Sequence, residues 1–254
     1  MSKVFFTADT HFGHGNIIKY CHRPFLKEID KKALEESGGK WHDGMWKGEF
    51  ASRWRMSRDA VDMMNDHLTD QINEVVGVDD TLWHLGDFAF ARKDDYYRKC
   101  RFYRDRIKCQ NVNIIWGNHD TPTCDEPGDD DYVIRDLFNK AHHLQRIKVT
   151  GANIILCHYA MAVWNKSHRK NWHLYGHSHS TIESALDRHF EGRRSMDVGV
   201  DNAKLVLGEY KPFSMEDLQR IMSKRDGHVV DRHGDQRLKN LGDAPTEEEI
   251  MERH

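Results

Sequence analysis

The chain has 254 residues, 38% of them hydrophobic, which suits one globular domain with a sizeable buried core. Its formal net charge of −3 excludes a globally basic nucleic-acid-binding protein but is compatible with a local basic patch. No apolar run is long enough to span a bilayer, and the apolar start at 4–6 is too short for a signal peptide, so we expect a cytoplasmic protein without membrane contact.

Two residue types carry information on chemistry. The five cysteines form no Cys-x-x-Cys pair, so reduced thiols of a cytosolic protein are expected. The 18 histidines are more than packing requires in a chain of this length. This excess is the compositional indication of metal chemistry.

Apolar runs and helical periodicity predict the secondary structure. Strands are predicted where short apolar runs end at glycine or a polar turn, and helices where apolar residues recur every three or four positions. In chain order, the predictions are a strand at 3–8, helices at 16–20, 28–37 and 57–76, a strand at 81–85, a helix at 93–108, a strand at 112–115, a hairpin at 144–149 and 153–157, strands at 172–175, 196–200 and 205–207, and a last helix that Ser214 caps.

Two segments have an unusual composition. Trp41, Trp46 and Trp54 alternate with basic residues in the stretch 40–56, so this stretch would either stack nucleobases or fold over the domain and bury its tryptophans. Packing is favoured, because aromatic residues more often pack than bind. The helix at 93–108 is strongly basic, and a solvated face is expected for it.

These patterns predict one domain and one appendage. The domain would comprise residues 1–225, with the Trp-rich stretch as an insertion at about 38–56. Residues 226–254 are polar and charged, which predicts a tail or a partner-binding appendage. The sequence does not predict an oligomeric state.

Five successive predicted strands end in residue types that bind metals. The endings are Asp9-x-His11, Gly86-Asp87, Gly117-Asn118-His119-Asp120, His158 and Gly176-His177-x-His179. Residues two apart share one face of an extended segment, and glycine permits close approach of the backbone at three of the endings. Five such endings are hard to explain as packing, so they predict a metal site at the strand ends.

The endings resemble the ordered signature of the calcineurin-like metallophosphoesterase superfamily: Asp-x-His, Gly-Asp, Gly-Asn-His-Asp/Glu, His and Gly-His-x-His. The chain is similar to a small bacterial and phage-type branch, and the resemblance covers roughly residues 3–218 without the stretch 40–56. It departs from the family where Phe88-Ala89-Phe90 follow Gly-Asp in place of charged residues. The branch resemblance rests on Thr7 to His14, Asn16 to Ile18, Arg23-Pro24-Phe25, His84 to Ala89, Asp197 to Asp201 and Tyr210-Lys211-Pro212.

The resemblance implies an α/β fold, in which two facing, mainly mixed β-sheets form a sandwich flanked by helices. The metal site would lie at the strand ends along one edge. We expect the helix at 57–76 to cover one sheet with an apolar face made by Val61, Met64, Leu68 and Ile72.

The resemblance also implies a site for two divalent ions, of which Asp87 would bridge both. Asp9, His11 and His179 would hold one ion, and Asn118, His158 and His177 the other. Ions about 3.5–4 Å apart would lower the pKa of a bridging water, and the resulting hydroxide would attack phosphorus. Nitrogen and oxygen donors without thiolate favour Mn²⁺, with Fe, Zn or Ni as alternatives.

Four further residues receive roles. His119 would protonate the leaving oxygen, and Asp120 would orient His119 through a hydrogen bond. His14 would either contact the scissile phosphate or cap the following helix. Arg23 would either clamp a phosphate or form an ion pair on the surface.

The predicted function is metal-dependent hydrolysis of phosphate esters, as a phosphodiesterase or phosphomonoesterase, with nucleotides among the candidate substrates. The alternative is a nuclease that acts on DNA or RNA with the same site, which the basic and aromatic segments would favour. A non-catalytic metal-binding scaffold is the third interpretation. It would normally have lost ligands, and none of the seven is missing from the sequence.

Overall fold

The computed structural model describes residues 2–42, 45–47, 55–120 and 134–225. The predicted tail at 226–254 and Trp54 lie outside the described residues. None of the helices within these ranges is long and apolar enough to cross a membrane.

The described residues form both strands and helices, and among them the strands between 111 and 175 follow one another without an α-helix. The strands are β1 Val4–Thr7, β2 Lys40–His42, β3 Met45–Lys47, β4 Thr81–His84, β5 Asn111–Ile115, β6 Lys140–His142, β7 Leu144–Val149, β8 Ala152–Cys157, β9 Trp172–Tyr175, β10 Ser195–Asp197 and β11 Phe213–Ser214. The helices are α1 Gly15–Tyr20, α2 Glu28–Glu36, α3 Arg58–Val75, α4 Tyr96–Arg106, α5 Glu183–His189, α6 Val200–Leu207 and α7 Met215–Met222.

Two mixed sheets form the centre of the molecule. The first has the order β11-β1-β4-β5-β6 and is parallel except for β11, and the second has the order β10-β9-β8-β7 and is parallel except for β7. Parallel neighbours bring their carboxyl ends to the same edge of a sheet. The strand endings that the sequence analysis identified therefore lie along two sheet edges. Within the Trp-rich stretch, β2 and β3 form a separate antiparallel hairpin.

The hydrophobic core has two parts, one on each face of the first sheet. Between the sheets, side chains of the first sheet such as Phe6 and Ile115 pack in one buried cluster with Leu156 and Leu174 of the second. The helices cover the opposite face of the first sheet, where Met64, Leu68 and Ile72 of α3 are buried and Val61 is partly buried. The predicted face of this helix is therefore confirmed. Its N-cap is Ser57, whose side chain accepts a bond from the Ala60 amide.

The strand predicted at 205–207 is wrong, because these residues end helix α6. Gly199 is the N-cap of α6, and Gly208 ends it in the left-handed conformation at φ +80°. Val200 and Ala203 are buried on one face, whereas Leu205 and Val206 are exposed. A short apolar run fits a strand or a helix equally well, and here the two flanking glycines decide for the helix.

The basic helix has the solvated face that was expected. Helix α4 follows a 3₁₀ turn at Lys93–Asp95 and pairs its arginines with nearby groups. Arg98, Arg101 and Arg106 form exposed ion pairs with aspartates, and Arg104 donates to backbone carbonyls. These exposed ion pairs are the ordinary arrangement of a solvated helix face, and the nuclease alternative stays a prediction.

Candidate metal centre

The seven candidate ligands lie at the carboxyl ends of five strands that belong to both sheets. Asp9 and His11 follow β1, Asp87 follows β4 and Asn118 follows β5 in the first sheet, and His158 follows β8 and His177 and His179 follow β9 in the second. Six of the seven fall into two groups of possible metal donors, and the side chain of the seventh, Asn118, joins the second group.

The first group consists of Asp9, His11 and His179, whose donor atoms lie within 4.8 Å of one another. Asp9 and His11 are buried. Neither ring nitrogen of His11 has a hydrogen-bond partner among the described residues. Buried polar atoms are normally satisfied, so this imidazole fits the role of a metal ligand. Burial also lowers the pKa of His11, which favours the neutral form that binds metals.

The second group consists of Asp87, His158 and His177, with donor atoms again within 4.8 Å. The Asn118 side-chain oxygen lies 3.1 Å from Nε2 of His158 and 2.8 Å from Nδ1 of His177. Nδ1 of His158 is 2.7 Å from the Leu85 carbonyl oxygen and donates to it, which directs Nε2 towards Asn118. His177 and Asn118 are exposed, so the group is open to solvent on this side.

Asp87 faces both groups. Its Oδ2 lies 3.5 Å from Nε2 of His11 and 3.5 Å from Nε2 of His158, while its Oδ1 accepts a 2.8 Å bond from the His119 amide. Burial alone would raise the pKa of Asp87. The hydrogen bond and charge of His158, together with the backbone hydrogen bond from His119, outweigh burial and hold this pKa below its usual range. Asp87 therefore remains a carboxylate between the two groups.

The other pKa shifts show buried carboxylates and imidazoles that take up protons in the metal-free protein to balance their charges. Burial raises the pKa of Asp9 to about 8 in the metal-free protein. Burial would lower the pKa of His158, but its bond to Asp87 and the charges of Asp9 and Asp87 raise it to about 9. Bound cations are often the largest charges in such a site and reverse these shifts. The donor set therefore fits divalent ions.

Five of the seven candidate ligands have a backbone conformation that is rare for residues other than glycine. Their φ angles are +56° for Asp9, +48° for His11, +56° for Asp87, +68° for His177 and +47° for His179. Such residues store strain and cluster at active sites and ligand clamps. A sequence pattern gives no sign of this feature.

Gly117 lets the ends of β4 and β5 approach closely. A Cβ atom at this position would lie 2.3 Å from Oδ1 and 2.5 Å from the amide nitrogen of Asp87. Real Cβ atoms do not approach other atoms so closely. The glycine in Gly-Asn-His-Asp is therefore required for the position of Asp87.

Asp120 organises the backbone of this loop. Its two buried carboxylate oxygens accept bonds of 2.8 Å from the amides of Asp87 and Gly117 and of 2.9 Å from that of Phe88. Burial, and then the charge of Asp87, raises the pKa of Asp120 to about 6. The Tyr96 hydroxyl also donates to Oδ1 of Asp120, at 3.4 Å. Orientation of the His119 imidazole by Asp120 stays a prediction.

His119 and His14 lie beside the first group. The ring centroid of His119 is 5.3 Å from that of His11, and His14 is 5.4 Å from His11 and 6.2 Å from His119. His14 is the N-cap residue of α1, but its side chain makes no capping bond, so the structure does not support the capping alternative. Burial lowers the pKa of His14 to about 4, and its ring is neutral.

Both roles suggested for Arg23 are wrong. Arg23 is fully buried and forms a two-pronged ion pair with Asp201, with bonds of 2.9 and 2.8 Å. Its remaining N–H groups contact the carbonyls of Thr10 and Asp9 and the sulfur of Met64. It is neither on the surface nor available to a phosphate.

Asp201 is a residue that the sequence analysis quoted only as part of the branch resemblance. Its Oδ2 lies 2.6 Å from Nδ1 of the candidate ligand His179. Asp201 and His179 also form a third group of donors with Cys21. The chain therefore contains a line of contacts from Arg23 through Asp201 to His179.

Comparisons with known proteins show similarity along most of the chain. No family model matches it. An uncharacterised protein from Methanocaldococcus jannaschii is 24% identical over 232 residues, which cover 91% of this chain and 96% of the relative. The solved structure of a protein of unknown function from Aquifex aeolicus has a TM-score of 0.52 and 17% identity, and covers 87% of this chain and 100% of its own. A phosphoesterase from E. coli has a TM-score of 0.30 and 15% identity over 70% of each chain. The Aquifex structure shows that the fold is shared.

Proposed function

We propose that this chain is a metal-dependent phosphoesterase of the calcineurin-like type, with two divalent ions at the strand ends. The observation that carries the proposal is the position of Asp87, whose Oδ2 lies 3.5 Å from a histidine of each donor group. One carboxylate that faces two sets of donors is the arrangement that a two-metal site requires. The five motif blocks that resemble the superfamily support the same function.

The residues fall into roles that match their positions. Asp9, His11 and His179 would hold one ion, Asn118, His158 and His177 the other, and Asp87 would contact both. The donor set is nitrogen and oxygen, which suits Mn²⁺ and also accepts Fe, Zn or Ni. When bound, the ions supply Lewis acidity at the phosphate oxygens and an activated water.

His119 is the proposed proton donor to the leaving oxygen. Its amide donates to Asp87, and its carbonyl oxygen accepts a 3.1 Å bond from the Tyr96 hydroxyl. These two bonds fix the backbone of His119 relative to the bridging carboxylate. The imidazole is partly exposed beside His11, where it can reach a substrate bound at the centre.

The test is the hydrolysis of bis-p-nitrophenyl phosphate and p-nitrophenyl phosphate with added Mn²⁺, for the natural protein and for Asp87→Asn. Asparagine keeps the shape of the side chain but removes the charge shared by the two donor groups. We expect Mn²⁺ occupancy to fall and turnover to drop by more than about 100-fold. Even a mutation of a residue that only hydrogen-bonds to a metal ligand lowers metal affinity or activity by about 10- to 100-fold.

The matched control is Asp105→Asn, because Asp105 is an exposed residue of α4 that pairs only weakly with Arg101 at 3.6 Å. It should keep both metal content and turnover. Retention of two ions and of normal turnover by Asp87→Asn would show that the two-metal proposal is wrong. Both esters are included because mono- and diesterases differ in which of them they hydrolyse.

A further inference from the structure

Phe90 is an exposed aromatic residue held in a fixed position beside the proposed catalytic histidine. It lies three residues after Asp87, and its side chain is 42% exposed. Its amide donates a 2.8 Å bond to the Phe12 carbonyl, and the Phe12 amide donates a 3.0 Å bond to the Phe88 carbonyl. These bonds tie the segment to the backbone that follows β1.

The ring of Phe90 has one covered face. His14 stacks on it with a centroid distance of 4.0 Å and an interplanar angle of 15°. The ring of His119 lies 5.7 Å away at 66°, edge to face. With 42% of the residue exposed, part of the Phe90 ring stays open to solvent beside these two histidines. The molecule therefore presents an apolar ring to solvent next to two histidines of the site.

A single exposed apolar side chain is normal on a protein surface, so exposure alone indicates nothing. Phe90 differs because it is immobilised by backbone bonds and a stacked ring, and because it adjoins the metal centre. The His14 ring that covers it is 5.4 Å from His11, a candidate ligand. The ring of Tyr20, which is 69% exposed, lies 6.5 Å from that of His14 and adds a second exposed aromatic residue near the site.

We propose that Phe90 is a stacking platform for the nucleobase of a nucleotide whose phosphate lies at the metal centre. This inference rests on the proposed function and names its substrate class. Every base has a π-face, so a phenylalanine platform accepts any of them without reading sequence. Because Phe90 adjoins His119, the proposed donor to the leaving oxygen, the platform belongs on the side of the leaving nucleoside.

The experiment compares two ligands that differ only by the base: the methylene-phosphonate analogues of adenosine 5′-monophosphate and of ribose 5-phosphate, which the enzyme cannot hydrolyse. Calorimetry on the Mn²⁺-loaded protein gives the ratio of their two dissociation constants. We expect the adenosine compound to bind roughly five- to 100-fold more tightly, which is the range for stacking one base on an aromatic side chain.

Variants assign this preference to the ring. In Phe90→Ala the ratio should fall to about one, whereas Phe90→Tyr should keep most of it and Phe90→Leu, apolar but not aromatic, should lose most of it. A general disturbance of the site would weaken both ligands and leave the ratio unchanged. The control is Phe102→Ala, because Phe102 is an exposed phenylalanine of α4 whose ring contacts are with Tyr103 and Arg106.

The outcomes separate this inference from the proposed function. Hydrolysis of the p-nitrophenyl esters without any preference for the adenosine compound overturns the platform and leaves the phosphoesterase intact. A preference that Phe90→Ala abolishes, in a protein that hydrolyses no ester, supports the platform and overturns the phosphoesterase. Failure of both ligands to bind, or an unchanged ratio in Phe90→Ala, also overturns the platform.

Discussion

At the scale of single residues, Asp201 holds the Nδ1 atom of the candidate ligand His179 at 2.6 Å. A carboxylate bonded to the second nitrogen of a metal-binding histidine fixes both its tautomer and its orientation. Asp201 is itself held by Arg23, which also donates to the Asp9 carbonyl at 2.8 Å. Arg23 thus supports two candidate ligands of the first group. It supports His179 through the Asp201 side chain, and Asp9 through the Asp9 backbone carbonyl.

For Asp201→Asn, two effects are expected. Affinity for Mn²⁺ at the first group should fall by about 10- to 100-fold, because His179 loses its charged partner. The free energy of unfolding of the metal-free protein should fall by about 3–5 kcal/mol, because Arg23 is left buried without a counter-charge. Calorimetry with Mn²⁺ and urea unfolding measure the two quantities separately.

The control for that change is Asp187→Asn, which removes a partner of Arg193 and leaves the contacts of His179 intact. It should alter stability while leaving Mn²⁺ affinity as it is. If Asp201→Asn destabilises the protein and still binds Mn²⁺ like the natural chain, Asp201 has a structural role only, and its positioning role is refuted.

Arg23 also shows where residue-level prediction from sequence ends. Arginine before proline suggests an exposed turn, and the residues around it in the sequence do not identify its partner. Its partner Asp201 is 178 positions further along the chain. The candidate ligands, by contrast, could be predicted because short motifs carry them and strand ends place them. The strained φ angles of these ligands could not be predicted, because the assembled loops impose the strain.

At the scale of elements, prediction succeeded where apolar periodicity was strong and failed where it was weak. Helix α3 and the β7–β8 hairpin match their predictions closely. Helix α5 was missed because none of its residues is buried, so it has no apolar face in the sequence. Strands β6 and β11 have only three and two residues, which is too short for a pattern.

The loops that end β4 and β5 give a prediction at this scale. In Gly117→Ala the new methyl group would overlap Asp87, so one of the two loops must move. We expect a loss of about 1–3 kcal/mol in the free energy of unfolding, typical of overpacking, together with weaker Mn²⁺ binding because Asp87 is displaced. Urea unfolding and calorimetry would measure both.

Gly77→Ala is the matched control. A Cβ there would meet only the Asp80 side chain, at 3.1 Å, and this flexible group can adjust. Its stability and Mn²⁺ affinity should stay close to those of the natural protein. Normal Mn²⁺ affinity in Gly117→Ala would contradict the claim that this glycine sets the position of Asp87.

At the scale of the whole molecule, buried neutral histidines make stability sensitive to acid. Burial lowers the pKa of His173 to about 4 and that of His84 to about 3, against an ordinary value near 6.5. A histidine with a lowered pKa in the folded state resists protonation there, so its full contribution to stability is present above pH 6.5. That contribution is lost as the pH falls from 6.5 towards the folded pKa.

For His173 the difference corresponds to about 3 kcal/mol between pH 6.5 and pH 4. Urea unfolding of the metal-free protein at several pH values should therefore show that acidification lowers the free energy of unfolding less in His173→Gln than in the natural chain. His189→Gln, which changes an exposed histidine, should leave the loss unchanged. If acidification lowers the free energy of unfolding as much in His173→Gln as in the natural chain, His173 is not the cause of the acid sensitivity.

Both donor groups draw side chains from both sheets, and this division has a consequence for the lifetime of the folded state. The first group joins Asp9 after β1 to His179 after β9, and the second joins Asp87 after β4 to His158 after β8. A set of ligands so widely separated along the chain is assembled only once the two sheets have docked. An ion held there stabilises the completed molecule and not the partly folded chain that precedes it. It should therefore act on the unfolding rate and leave the folding rate nearly unchanged, so that metal supply sets how long each copy of the protein persists.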